Sequence, residues 1–254
     1  MRIIRTIEEL HRTPRGRTLG LVPTMGAFHE AHLALFRAAR DENDIVAVSL
    51  FVNPAQFGPG EDLATYPRDE ERDASLAEDA GVDILFVPAA EELYPPGFQT
   101  WVEVEELGRI LEGEFRPGHF RAVATICLKL FNIVGPDRAY FGQKDAQQVA
   151  VVKRMVRDLD HEVEIRVVPT VRDADGLALS SRNAYLSPAE RERALALPRA
   201  LATKDLNAAR AQLNGLDVDY VAVADFEPRV LTAAVRVGKT RLIDNVVLDT
   251  KEPA

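Results

Sequence analysis

Five short apolar runs, at residues 19–22, 45–51, 84–87, 139–141 and 163–168, alternate with stretches of helical period. The runs are rich in Val, Ile and Phe and too short for helices, as strands buried on both faces of a parallel sheet must be. Helical patterns between them cover about 31–40, 69–80, 120–134 and 146–159. Gly81 stands where the second should stop, and Gly135-Pro136 where the third should. Alternation of this kind predicts an α/β chain whose parallel sheet is covered by helices, a doubly wound fold.

The pattern changes after Thr170. Residues 171–186, VRDADGLALSSRNAYL, are polar and turn-rich, and Ser187-Pro188-Ala189-Glu190 reads as a capping box that starts a helix. A second helix is expected near 203–213, then strands at 220–224, 233–237 and 242–248. The expected organisation is a first domain over 1–170 and a smaller α+β domain over 171–254.

Composition excludes several classes. The net charge of -9 argues against a general nucleic-acid binder, so an anionic substrate must meet local positive charge. One cysteine, Cys127, rules out an intrachain disulfide framework, and its apolar run 123–128 makes it a small buried hydrophobe. The start, MRIIRTIEEL, lacks the apolar core of a signal peptide, and no apolar run approaches the roughly 20 residues of a membrane span. The expected setting is cytoplasmic, with no membrane partner.

Candidate chemistry lies where strands end. VPTMGAFHEAHLAL, residues 22–35, runs from a strand through Pro23 and Gly26 into a helix start. Free backbone N–H groups and the helix dipole make such a place an anion site, and His29 and His32 share one helical face. Their spacing of three is not that of an HExxH zinc site. YFGQKDAQQ follows another strand: Gly142 permits close backbone approach, Lys144 offers a charge, and Asp145 is either an acceptor for a ribose hydroxyl or a helix cap. GLALSSRN holds Ser180, Ser181 and the forked donor Arg182, a set able to grip a polyphosphate or merely to form a solvated turn. FVNPAQFGPGED offers Asn53 and Gln56 as neutral partners beside apolar walls, which suits a small hydroxy acid. FRPGHFRAVAT sets Arg116, His119 and Arg121 ahead of a helix. Val237-Gly238-Lys239-Thr240 ends like a P-loop, but the required first glycine falls on Ala233, so that match is chance.

These blocks, with ELYPPGF, KLFNIV and TRLIDNV, occur in one order over nearly the whole chain, and together they resemble the pantothenate synthetase family of the HxGH nucleotidyltransferase superfamily. The resemblance implies a Rossmann-like nucleotide- and pantoate-binding domain, a C-terminal lid domain and a homodimer. It implies ATP as a substrate with Mg²⁺, and pantoate and β-alanine as the other substrates. Pantoate carboxylate would attack the α-phosphorus of ATP to give pantoyl adenylate and pyrophosphate, and the β-alanine amine would then displace AMP. His29, His32, Lys144, Ser180, Ser181 and Arg182 would be the catalytic set. ATP contacts are implied at Pro23, Thr24, Met25 and Gly26, at Gly142 and Asp145, and at Val171 and Leu179. Pantoate contacts are implied at Gln56, Gln148, Asn53 and His119, and Asp73 falls near the magnesium-linked acid.

Two positions depart from the family pattern, which has glycine where this chain has Ala31 and Ala122. If positive φ or close ligand approach needed those glycines, alanine would strain or obstruct the site; in ordinary helix it would do neither. Two alternatives therefore stand beside the ligase: a related nucleotidyltransferase with another acceptor, and a weakened or inactive ATP-binding homologue.

Overall fold

The computed structural model describes residues 1–13 and 18–248; residues 14–17 of the first expected domain and 249–254 of the second lie outside the described residues. In chain order come β1 (Arg2–Ile4), α1 (Ile7–His11), β2 (Leu19–Thr24), α2 (Glu30–Glu42), β3 (Ile45–Leu50), α3 (Glu70–Asp79) and β4 (Ile84–Phe86). Then follow α4 (Ala90–Leu93), α5 (Glu112–Phe115), α6 (His119–Val134), β5 (Arg138–Gly142), α7 (Ala146–Asp158) and β6 (Glu164–Val168). The rest holds α8 (Pro188–Ala194), α9 (Ala196–Leu201), α10 (Leu206–Gln212), β7 (Asp217–Asp225), β8 (Arg229–Val237) and β9 (Thr240–Val247). The chain divides into two compact units: Met1–Phe141 with Val151–Val168, and Gly142–Ala150 with Pro169–Ala254.

The first unit is built on a six-stranded sheet of order β1-β4-β3-β2-β5-β6. β2 pairs in parallel with β3 on one side and with β5 on the other. From β2 the chain runs outward through β3 and β4, then returns to lay β5 against the opposite edge of β2. Right-handed crossovers in the two directions place α2 and α3 on one face and α6 and α7 on the other. The order reverses between β2 and β5, and the crevice beyond the carboxyl ends there is where such sheets bind ligands.

One face of β2 shows how tightly the sheet is fixed. Val22 is fully buried with Phe28, Phe36 and Ala39, with Val46 and Val48 of β3, and with Tyr140 of β5. Each large apolar side chain so enclosed contributes roughly 1.5–3 kcal/mol. Gly20 lies two residues back on the same face, and a Cβ there would come within 2.6 Å of the Asn43 amide. That amide donates to Tyr140 Oη at 2.7 Å, and Tyr140 donates to Glu42 at 2.8 Å. The missing side chain at Gly20 is what lets a hydrogen-bonded Asn and Tyr sit under the sheet.

The ends of the helices follow the sequence. Gly81, at φ +79°, follows α3, and the Val82 N–H returns to Ala77 O at 3.0 Å. Gly135 closes α6 in the left-handed region, its N–H bonding Phe131 O at 2.8 Å. Cys127 is buried, and burial pushes its thiol up to about 12, so it is inert packing.

In the second unit β7-β8-β9 form an antiparallel sheet. Alternate residues of β8, Leu231, Ala233, Val235 and Val237, turn inward against Leu197 and Leu201 of α9 and Ala209 of α10. Gly238-Lys239 is the β8–β9 hairpin turn, which disposes of the P-loop likeness. Ser187 and Glu190 make the reciprocal capping box of α8. The helix expected at 203–213 begins later, because Lys204 is at φ +54° and the Asp205 carboxylate caps Ala208 N–H at 2.8 Å. α9 was not anticipated: Pro198 interrupts its pattern but sits in its first turn, where a missing N–H costs nothing. No helix among the described residues is long and apolar enough to cross a membrane.

Candidate active site

At the carboxyl end of β2, Pro23 and Thr24 are its last residues, and Thr24 donates through Oγ1 to Ser49 O at 2.6 Å. Met25 and Gly26 lead into a turn with two consecutive left-handed residues, Gly26 at φ +87° and Ala27 at φ +54°. His29 is the extended N-cap of α2, one residue before the helix, and His32 is its third residue. The His29 N–H donates to His32 Nδ1 at 3.3 Å. An accepting Nδ1 leaves the His32 proton on Nε2, so the ring presents a donor at its far edge. The two rings lie 4.2 Å apart between centroids, and Phe28 flanks His32 at 5.4 Å. Two imidazoles at a helix start, where unpaired N–H groups carry partial positive charge, form a donor set for an anion.

Asp73 shapes this turn. It is fully buried on α3, and its two oxygens accept from Ala27 N–H and Phe28 N–H, each at 2.7 Å. Arg72 adds a bond to Phe28 O at 3.1 Å. Burial raises the Asp73 pKa against the opposing pull of those N–H groups. The carboxylate implied as magnesium-linked is thus occupied in holding the left-handed turn, and no cluster of three or more His, Cys, Asp or Glu suited to a metal occurs among the described residues.

A second cluster leaves the neighbouring strand. The Phe51 N–H bonds Thr24 O at 3.0 Å, so the segment after β3 departs beside the histidine turn. Asn53, buried, caps the short 3-10 helix Pro54–Gln56 and donates through Nδ2 to Gln56 Oε1 at 2.9 Å. That bond fixes the Gln56 amide and leaves its Nε2 as a donor with no partner among the described residues. Arg116 grips Glu61 through two 2.8 Å bonds and donates to His119 Nε2 at 3.1 Å. Burial pushes Glu61 up, but the Arg116 bonds outweigh it and hold the carboxyl below its usual range. Burial, aided by the Arg116 charge, pushes His119 down to about 4. The ring is therefore neutral, its proton is on Nδ1, and Nδ1 donates to Gln56 O at 3.0 Å. Both His119 nitrogens are spent on Arg116 and the Gln56 backbone, so His119 orients Gln56 and has no ring nitrogen left for a carboxylate.

The second unit carries the other set. Gly142 ends β5, Lys144 and Asp145 occupy the 3-10 helix Gln143–Asp145, and Gln148 lies half-buried in the first turn of α7. The Lys144 ammonium is 3.5 Å from Asp145, its side chain only 19% exposed. Residues 171–179 form a small hairpin: Leu179 N–H bonds Val171 O at 3.0 Å, and Arg172 bridges Ala178. Its second leg delivers Ser180, whose Oγ caps the 3-10 helix Ser181–Tyr185 that carries Arg182. The structure therefore gathers the expected residues into a turn with two histidines and an Asn53/Gln56 cluster in the first unit. In the second it gathers a lysine turn and a Ser-Ser-Arg loop.

The departures from the pattern fall in helices. Ala31 is in the first turn of α2 and Ala122 is buried in α6, and neither has positive φ. The left-handed strain sits four residues earlier, on Ala27. Three residues that the sequence did not single out, Arg172, Asp244 and Asn245, organise the second set. Arg172 is held by Asp244 through bonds of 2.6 and 3.0 Å, and Asn245 donates to Gln143 O and Lys144 O at 2.8 and 2.9 Å. The signals were their places in the VRDADG and TRLIDNV segments and the polar pair Asp244-Asn245 within an apolar strand pattern, which marks buried polar groups with fixed partners.

Comparison with known proteins bears on what this arrangement does. The family model for pantoate-beta-alanine ligase matches residues 2–247. The pantothenate synthetase of Moorella thermoacetica is 56% identical, covering 94% of this chain and 93% of that protein. That of Heliobacterium modesticaldum is 51% identical over 98% of this chain and all of its own length. Among solved structures, pantothenate synthetase from Thermus thermophilus superposes with a TM-score of 0.93 at 48% identity, covering 97% of this chain and 99% of that one. A pantoate-beta-alanine ligase from Francisella tularensis, solved with beta-gamma ATP and beta-alanine, has a TM-score of 0.87 at 36% identity, with 97% of each chain covered. With a family model spanning nearly all of its length and relatives at half identity or more, this chain belongs to the pantoate-beta-alanine ligase family.

Proposed function

We propose that this chain joins pantoate to β-alanine in an ATP-dependent, AMP-forming ligation that passes through pantoyl adenylate. The carrying observation is the His29/His32 turn, a donor set at the switch point of a doubly wound sheet, beside a neutral Asn53/Gln56 cluster. In the first step a pantoate oxygen attacks the α-phosphorus and pyrophosphate leaves. In the second the β-alanine nitrogen attacks the acyl carbon, and AMP and a proton leave.

The first nucleophile is already an anion, so no general base is required. What the protein must supply is placement of two anions together and donors aimed at the charge that grows on the phosphate. His29 and His32 take that role in the first unit; Lys144, Ser180, Ser181 and Arg182 take it in the second. Each such donor is worth roughly 3–4 kcal/mol in comparable sites, and alignment of the reactants supplies several more. Pro23 to Gly26, Gly142, Asp145, Val171 and Leu179 line the nucleotide. Gln56 and Gln148 hydrogen-bond pantoate, with Asn53 and His119 keeping Gln56 in position. An extra phosphate on the acceptor would require added Arg or Lys in that cluster, where Arg116 is already engaged by Glu61.

Asp73 accepts one amide N–H on each oxygen, which leaves each a further lone pair, so it would hold magnesium only together with the phosphates of ATP. Magnesium enters as the ATP complex, as the hydration preference of that ion favours, and no step is routed through an ion cage. The C-terminal domain, residues 171–254, serves as the lid that keeps water from the adenylate. The active form is a cytoplasmic homodimer; the dimer is a mass that sedimentation checks directly.

The test follows pyrophosphate and AMP separately. With ATP and pantoate alone, one equivalent of pyrophosphate per site is expected; adding β-alanine turns this into continuous release with matching AMP. Pyrophosphate release that ignores pantoate, or continuous turnover with a different acceptor, would overturn the assignment.

A further inference from the structure

Two adjacent polar residues of β9 lie buried in the second unit, Asp244 at 1% and Asn245 at 3% exposure. Each reaches a different part of the expected phosphate machinery. Asn245 spends its whole side chain on the lysine turn: Nδ2 donates to Gln143 O at 2.8 Å and to Lys144 O at 2.9 Å, and Oδ1 accepts from Gln143 Nε2 at 3.0 Å. Asp244 takes the Arg172 guanidinium in a forked pair and also accepts its neighbour's N–H at 2.8 Å. Arg172 in turn reaches Gly176 O at 3.2 Å across the 171–179 hairpin that ends at Ser180. Every side-chain polar atom of the pair is used, and none is turned toward a ligand.

We propose that Asp244 and Asn245 are positioning residues that fix the Lys144 turn and the Ser180-Ser181-Arg182 loop to one rigid strand. Asn245 acts through Lys144, and Asp244 acts through Arg172 on the loop. The physical need is plain. Lys144 stands on a single turn of 3-10 helix and the serines on a turn-rich loop, two elements with little stiffness of their own. Donors placed on loops lose precision unless surrounding hydrogen bonds hold them. Two carbonyls captured by one amide fix the backbone from which the lysine projects, and the forked Arg–carboxylate pair fixes the hairpin direction. Because both partners belong to consecutive residues of β9, the two elements share one reference.

This rests on the reading of Lys144 as the cation at the reacting phosphate, and the experiment separates the two. Single-turnover pyrophosphate release, with enzyme in excess over ATP, is measured for Lys144→Ala, Asn245→Ser and the double variant. Asn245→Ser is expected to slow the step about tenfold with the ATP KM changed by less than about threefold, and to cost nothing further in the Lys144→Ala background. A residue that merely supported the fold would slow both backgrounds by the same factor. Equal slowing, or a folded Asn245→Ser with wild-type rate, overturns the proposal while leaving Lys144 in place. A wild-type rate for Lys144→Ala overturns the reading of Lys144 and the proposal with it. If Asn245→Ser does not fold, Gln143→Ala replaces it, since it removes only the donor that orients Asn245. A loss of about threefold that disappears in the Lys144→Ala background supports the proposal, and an unchanged rate overturns it.

Discussion

At the scale of single residues, the site depends on groups whose protons and lone pairs are already assigned by neighbours. His119 is the clearest case. Its folded pKa of about 4 lies below the ordinary 6.5 because burial and Arg116 oppose a second proton. Between those values the unfolded chain binds a proton that the folded chain refuses. Stability is therefore fully present above about pH 6.5 and is lost as pH falls toward 4. At about 1.4 kcal/mol per pH unit, the window carries about 3 kcal/mol. Replacing the ring with Gln keeps a neutral donor and acceptor and removes the titration. The melting temperature of the parent protein should thus fall more steeply than that of His119→Gln between about pH 7 and 4.5. Parallel curves would show that His119 does not enter the folded state neutral. The placement of His29 and His32 after β2, and of Asn53 and Gln56 after β3, was legible because strand ends are visible as pattern. The hydrogen bonds of His119 to Gln56 O and of Asp73 to the Ala27 N–H were not legible, because those partners lie 63 and 46 positions away and no local pattern records them.

At the scale of elements, the strands of the central sheet were legible as apolar runs, and the glycines after α3 and α6 marked real helix ends. β1 was not legible: three residues at a sheet edge carry no period, and only pairing with β4 makes them a strand. The same limit applied to α9, whose proline hides it. Element boundaries also answer the backbone half of the question raised by Ala31. Ala31 is helical while the left-handed positions of that turn are Gly26 and Ala27, so no backbone strain demands a glycine there and close ligand approach is the one remaining reason for it. Ala31→Gly should therefore leave adenylate formation unchanged and lower stability by roughly 0.5–1 kcal/mol, the helix cost of glycine. A rise in turnover on reversion would mean instead that the Ala31 methyl obstructs ATP. Calorimetric ATP affinity, measured on both chains, separates that from an effect on the chemical step.

At the scale of the whole molecule, a chain of net charge -9 must handle ATP and a carboxylic acid. A general field would repel both, so local donors have to overcome it, and the residues proposed for that role are divided between the two units. His29 and His32 sit on the unit built around the parallel sheet; Lys144 and the Ser-Ser-Arg loop sit on the other. If both sets serve one transition state, losing either should be felt in the same step. His29→Ala and Lys144→Ala should each slow pyrophosphate release by about two to three orders of magnitude, as loss of a preorganised donor does. Lys144 makes only a local ion pair with Asp145, so its removal should move the melting temperature little, whereas His29 is the N-cap of α2 and its loss should lower stability by about 1 kcal/mol. Gln56→Ala should behave differently, raising the pantoate KM while the ATP KM stays near its parent value, because Asn53 holds its Oε1 and leaves Nε2 to donate to the acid proposed there. Steady-state kinetics varying each substrate in turn distinguish these patterns. A chain in which only one unit's variants slowed the first step would confine adenylate chemistry to that unit, and near-parent kinetics for all three would remove the site from these residues altogether.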